Sequence, residues 1–211
     1  NNLTLGDEII VFVDARNLTG SVLGVGGPGG AAASCTQAFV DSVFERGQGF
    51  GVDTTEFAPW GGSLALDSLA TWNFDVNAGP ASGENDGLSV LLHEFGHVLG
   101  FGTAASFFNM TINGNTQFAG ATTGIVDLHS DSAHWENGTM SAVAGGSESY
   151  IGALAGMAQD TAMDPSIQTG TRKLFTDLDL AALDDIGWDI ENPPSVIPLP
   201  AGLWRLVSGI A

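Results

Sequence analysis

The segment Gly87–Gly102, GLSVLLHEFGHVLGFG, restricts this chain more than any other stretch. Asn85 and Asp86 precede it as N-cap candidates, and Gly100 suits a left-handed helix end. Wound as a helix, Leu88, Leu91, Leu92, Phe95 and Leu99 fall on one side, with His93, Glu94 and His97 roughly opposite. The spacing therefore predicts one core face and one chemical face. Two histidines four residues apart stand one turn apart on a helix, close enough to share a metal ion, and Glu94 lies beside them as a general base would. At this chain's own His and Glu frequencies, H-E-x-x-H has a random expectation of roughly 0.3%. Two solvated histidines on an ordinary helix are the plainer alternative, and the opposite-face patterning argues against it.

Such a helix needs a folded body, and the composition allows one. The chain has 211 residues, 44% of them apolar and only 14% charged, which excludes disorder driven by low hydrophobicity and predicts one domain. Twenty-four acidic residues against five basic ones give a net charge of −19. Four arginines and one lysine cannot build a groove for phosphate backbones, so nucleic-acid binding is excluded. The acidity fits exposure to salt or the extracellular medium. Cys35 is alone and can form no intrachain disulfide; its setting, Ala-Ala-Ala-Ser-Cys, reads as a small packed thiol. The apolar run Ile9–Val13 is broken by Asp14 and has no basic flank, so it does not read as a leader peptide. No stretch approaches the ~20 apolar residues of a spanning helix.

Glu8–Asp14 reads as a buried strand, and Ser21–Gly30 as a strand end running into a glycine-rich loop. That loop lacks the Lys-Ser/Thr of a phosphate loop. Gln37–Arg46 has helical spacing, with Phe39, Val40, Val43 and Phe44 on one face; Gly61–Asp67 and Thr71–Val76 read as strands. Thr103–Gly146, rich in Thr, Ser, Asn and Gly, should be mostly loop with short elements. Order returns over Thr171–Trp188, where Thr176 and Asp179 have capping-box spacing and Gly187 ends a helix.

Zinc bound by two helix histidines needs a third protein ligand. Thr103 stands where an immediate H-E-x-x-H-x-x-G-x-x-H would place it, and Glu136 and Glu148 lie in Gly/Ser-rich sequence. Histidine remains, with His129 and His134 both open.

HEFGHVLGFG, then SAHW after an insertion, then TAMDP and a helix ending in DDIGW, together resemble the metzincin zinc endopeptidases. The resemblance is to the leishmanolysin-like branch, in which an insertion displaces the third histidine. VFVDAR, GVGGPGG and PWGGSLALDS are similar to stretches of bacterial secreted members, and the likeness covers residues 8–190. It implies an α+β fold: an upper lobe of twisted mixed sheet with two helices over about 1–100, and a loop-rich lower lobe with a C-terminal helix over about 101–190. It implies His93, His97 and His134 as zinc ligands, the last because Trp135 follows it, and Glu94 as general base. Met163, with Met140 as competitor, would form the methionine turn beneath the metal without binding it. Pro165 stands where some members carry an oxyanion-stabilising tyrosine, and Tyr150 is the only tyrosine in the chain.

The expected activity is that of a secreted or cell-surface zinc endopeptidase, monomeric, using a metal-activated water. Its polypeptide substrate would lie extended along Gly61–Asp67 taken as an edge strand. Two alternatives are a non-catalytic, zinc-containing surface or matrix protein on the same scaffold, and a zinc amidase of small substrates. Asp-rich loops such as Asp127–Asp131 could hold Ca²⁺. The tail 191–211 contains VIPLPAGLW, which resembles the Val-Pro-Leu-Pro-Ala form of PEP-CTERM sorting signals, in incomplete form.

Overall fold

The computed structural model describes residues 9–30, 34–36, 38, 57, 59–146 and 149–190. The helix expected at Gln37–Arg46, Glu148, the Tyr150 side chain and the tail 191–211 lie outside them. Among the described residues the chain is α+β, with few helices and short strands in four small sheets.

The first sheet contains β1 (Ile10–Arg16), β2 (Gly24–Pro28) and β3 (Gly61–Asp67) in the order β1-β3-β2. β3 lies in the middle, parallel to β1 from Ile10↔Gly61 to Arg16↔Asp67 and antiparallel to β2 from Gly24↔Leu66 to Pro28↔Gly62. Three expectations change here. Gly61–Asp67 is not an edge strand: both its sides are paired, so no backbone groups remain along it for a peptide. The glycine run 24–28 is a strand, and it is the edge strand. β1, expected to be buried, is largely exposed at the sheet's other edge, with Phe12 and Val13 each 62% accessible. Of Thr71–Val76 only β4 (Trp72–Asn73) is paired, with β5 (Asn85–Asp86). Cys35 is exposed rather than packed.

A strand of glycines forms at β2 because a helix presses on it. A Cβ on Gly24 would lie 2.5 Å from Glu94 Oε1, and one on Gly26 would lie 2.5 Å from the Glu94 carbonyl oxygen. Only glycine lets the sheet and helix α1 (Gly87–Val98) approach this closely. Asp86 caps α1, accepting from Ser89 N, and Arg172 locks that carboxylate with a forked pair of 2.8 and 2.9 Å bonds. At the other end Gly100 N bonds His97 O and Phe101 N bonds Gly96 O, the pattern of a Schellman ending with Gly100 at φ +103°.

The two-face expectation for α1 is corrected. Leu88, Leu91, Leu92, Phe95 and Leu99 are only half-buried, whereas Glu94 and His97 on the chemical side are buried. The reason is that β2 packs directly on the chemical side, and Met163 touches the helix at Gly96.

Beyond α1 come α2 (Ala105–Asn109) and a three-stranded meander, β6 (Thr111–Ile112), β7 (Gln117–Gly120) and β8 (Gly124–Asp127). Then follow β9 (Met140–Ala142), α3 (Ser149–Gly152), β10 (Ala158–Asp160), which pairs with β9, and α4 (Asp177–Asp185). A hydrophobic core joins these pieces: Phe101, Phe107, Phe118, Trp135, Met163, Leu178 and Ile186 are all at most 1% exposed. α4 starts with the expected Thr176–Asp179 capping box. Its far end ties two other parts down. Asp185 accepts from Thr122 N and Thr123 N in the β7–β8 turn, and Trp188 Nε1 donates to Leu99 O at the end of α1.

Candidate metal centre

His93 and His97 lie one turn apart on α1, and His134 comes to them from the loop after β8. That loop reaches the helix end because Gly102, at φ +65°, leaves room: a Cβ there would sit 2.2 Å from the Ala133 carbonyl oxygen. The next residue pins the loop below. Trp135 N donates to Met163 O, and Trp135 Nε1 donates to Asp179 Oδ1.

The hydrogen bonds fix the ring tautomers. His93 Nδ1 faces Ala162 O at 2.7 Å, His97 Nδ1 faces Phe101 O at 2.8 Å, and His134 Nδ1 faces Asp131 Oδ2 at 2.9 Å. Carbonyl and ionised carboxylate oxygens only accept, so every Nδ1 carries a proton and every Nε2 of a neutral ring is bare. Those bare atoms converge: His134 Nε2 lies 3.1 Å from that of His93 and 3.0 Å from that of His97. At neutral pH neither His93 nor His97 takes a second proton. Burial first, then the charge of His97, holds His93 at about 3, and burial holds His97 at about 4.

Three lone pairs pointing at one another call for a cation between them. Nitrogens 2.0–2.1 Å from a tetrahedral zinc stand about 3.3 Å apart, which a slight opening of the observed arrangement provides. Three neutral imidazoles are a donor set that can hold a metal ion, zinc among them. Among the described residues this is the only such gathering of His, Cys, Asp and Glu. The Asp127–Asp131 loop collects no comparable set: Asp127 takes Gln117 Nε2, and Asp131 takes imidazoles.

Glu94 is 5% exposed, and burial raises its carboxyl to about 7. It lines, with the three histidines, a cleft of about 580 Å³ that runs between β2 and the segment Pro165–Ile167. Among the described residues, β2 is paired on one side only. Leu23 O and Gly29 N bond inward to β3, so by strand alternation Gly24 and Gly26 direct their N–H and C=O groups outward. Pro28, which has no N–H, falls in the same outward set.

Of the other expected residues, His129 stays outside the cluster and bonds Asp131. Glu136 serves the β8 end through its backbone rather than the site. Met163 lies beneath α1, where a Cβ on Gly96 would meet its Sδ at 2.4 Å; Met140 is instead part of β9. Two supporting residues have roles that the sequence did not signal. Asp131 was legible only as the end of a loop that could hold Ca²⁺. Asp179 was legible only as a cap, yet its fully buried carboxylate also receives Ala162 N, Met163 N and Trp135 Nε1.

Comparison with models of known families, with curated proteins and with solved structures returned no match.

Proposed function

We propose that this chain is a zinc-dependent endopeptidase of the metzincin kind, resembling the leishmanolysin-like branch and acting outside the cell. The observation that carries the reading is the convergence of three bare Nε2 atoms beside buried Glu94, in a cleft bordered by a free strand edge. Bound there, zinc supplies Lewis acidity toward a carbonyl oxygen and toward water. His93, His97 and His134 hold it. Glu94 accepts the proton of the attacking water and returns it to the leaving amine, a role suited to a carboxylate whose burial makes it more basic than usual. The substrate lies extended along β2, its backbone pairing with the outward groups of Gly24 and Gly26, in place of the pairing with Gly61–Asp67 expected from the sequence. Met163 serves as the floor under the ligand helix.

The test is turnover of casein by the full chain. Activity should disappear with a chelator, return with zinc, and fall by about 10²–10⁴ in Glu94→Gln at full zinc content. Turnover near the wild-type rate in that variant would refute the role of Glu94. Zinc-loaded protein that cleaves small amides and no polypeptide would support the amidase instead.

A further inference from the structure

Two of the three ligands are oriented by main-chain carbonyls, Ala162 O and Phe101 O, which no side-chain change removes directly. The third is not. His134 stands on a loop, and its Nδ1 is held by the side chain of Asp131. The same oxygen, Asp131 Oδ2, also takes His129 Nδ1 at 3.0 Å, and Oδ1 takes Ala133 N at 2.9 Å. The backbone closes the turn around this carboxylate: His129 N donates to His134 O, and Ser132 N, from a residue at φ +61°, donates to His129 O. The Asp131 side chain is 42% exposed, so a carboxylate held by one donor alone would exchange freely with water. Three donors fasten this one.

We propose that Asp131, clamped by His129, is a positioning residue for the third metal ligand: it holds the His134 proton on Nδ1 and so keeps Nε2 bare and turned toward His93 and His97. This rests on the metal-centre reading above. The physical need is specific. A neutral imidazole free in water favours the proton on Nε2, the atom that must be empty, and the bond made by the other nitrogen decides between the tautomers. His129 and His134, five residues apart, thus divide the work, the second facing the other histidines and the first holding the carboxylate that orients it. The nearby acidic charge also makes His134 a stronger donor.

The experiment compares the full chain with Asp131→Ala, Asp131→Asn and His129→Ala. Imidazole ¹⁵N shifts of the metal-free proteins report the tautomer, and zinc affinity is measured by competition with a chromogenic chelator. Wild-type His134 should carry its proton on Nδ1. Asp131→Ala should move it mainly to Nε2 and weaken zinc binding by about 10–100-fold. Asp131→Asn, whose amide oxygen still accepts, should restore the Nδ1 proton and part of the affinity, a rescue that a purely structural role would not give. His129→Ala should lie between wild type and Asp131→Ala. An unchanged tautomer with zinc affinity within twofold in Asp131→Ala would overturn the proposal. If that variant does not fold, Asp131→Ser, too short to reach the imidazole, takes its place. Wild-type protein that takes up no zinc would refute the metal reading, while the tautomer measurement still decides the role of Asp131.

Discussion

Asp179→Asn is the substitution whose consequence follows most directly from the structure. The carboxylate has no exposure and serves five donors. Oδ1 accepts from Trp135 Nε1 and Met163 N; Oδ2 accepts from Ala162 N, Thr176 N and Thr176 Oγ1. An amide of the same shape has one oxygen and one NH₂. With the oxygen in the Oδ2 place, Trp135 Nε1 and Met163 N face another donor. With it in the Oδ1 place, Ala162 N and Thr176 N do, while the Thr176 hydroxyl can turn and accept. Either orientation strands two buried N–H groups at about 1–3 kcal/mol each, a total of about 2–6 kcal/mol. For a chain of this size each kcal/mol moves the thermal midpoint by about 2–4 °C, so a mid-range loss of about 4 kcal/mol lowers it by about 12 °C.

The loss should also reach the metal. Ala162 O orients His93, and Trp135 follows His134, so either choice of amide orientation disturbs the support of one ligand. Scanning calorimetry and urea unfolding of the chelator-treated protein measure the first effect, and chelator competition measures the second. Asp189→Asn, at an exposed position two residues past the end of the same helix's glycine stop, is the control and should stay within about 0.5 kcal/mol of wild type. An Asp179→Asn protein within about 1 kcal/mol of wild type, with unchanged zinc affinity, would refute the claim that this carboxylate holds the site together.

Two other perturbations have a determined sign. In the metal-free protein, Glu94 has a native value near 7 against about 4.5 when unfolded, so the native state binds the proton more tightly; the stability this gives is full below pH 4.5 and lost as pH rises through 7. Wild-type stability should therefore fall relative to Glu94→Gln by on the order of 3 kcal/mol between pH 4.5 and 8, read from urea midpoints at each pH. Taking the difference between the two proteins cancels the opposite trend of His93 and His97, whose lowered values remove stability as pH drops below 6.5. Arg172→Ala should cost about 3–5 kcal/mol by leaving fully buried Asp86 without its cation and freeing the Asp75, Val76 and Ala78 carbonyls, and Arg172→Lys should recover only part, lacking the fork. Urea unfolding distinguishes the three proteins.

What could be read in the sequence was what local chemistry determines. The α1 boundaries follow from Asp86 and Gly100, and the α4 start from Thr176 and Asp179, because caps act within one turn. The pairing of His93 and His97 was legible for the same reason, since their spacing is the helix repeat. The leucine face misled, because periodicity identifies two sides of a helix but not which side another element covers. Here a strand of glycines, small enough to disappear against the helix, covers the side that carries Glu94. The same glycines hid the strand itself, since glycine signals a loop unless something packs on it. Strand order was equally illegible: nothing in Gly61–Asp67 alone says that it will be paired on both sides.

The third histidine of the cluster required contacts across the chain. His134 is 41 residues from His93, and between them the loop depends on Gly102 for clearance, on Trp135 for anchorage below and on Asp131 for ring orientation. The order of these supports explains how the bare nitrogen of His134 can be held 3.1 and 3.0 Å from those of His93 and His97 against their mutual repulsion. His93 and His97 belong to a helix fixed at its start by Asp86 and Arg172 and at its end by Trp188. The segment just past α4 supplies Trp188, and α4 itself supplies Asp179, which holds the Ala162–Met163 turn under the helix and Trp135 beside it. One short helix and the residues that end it therefore brace all three histidines without contributing one. That arrangement places the organising contacts beneath and beside the three histidines rather than on the open side of the cleft.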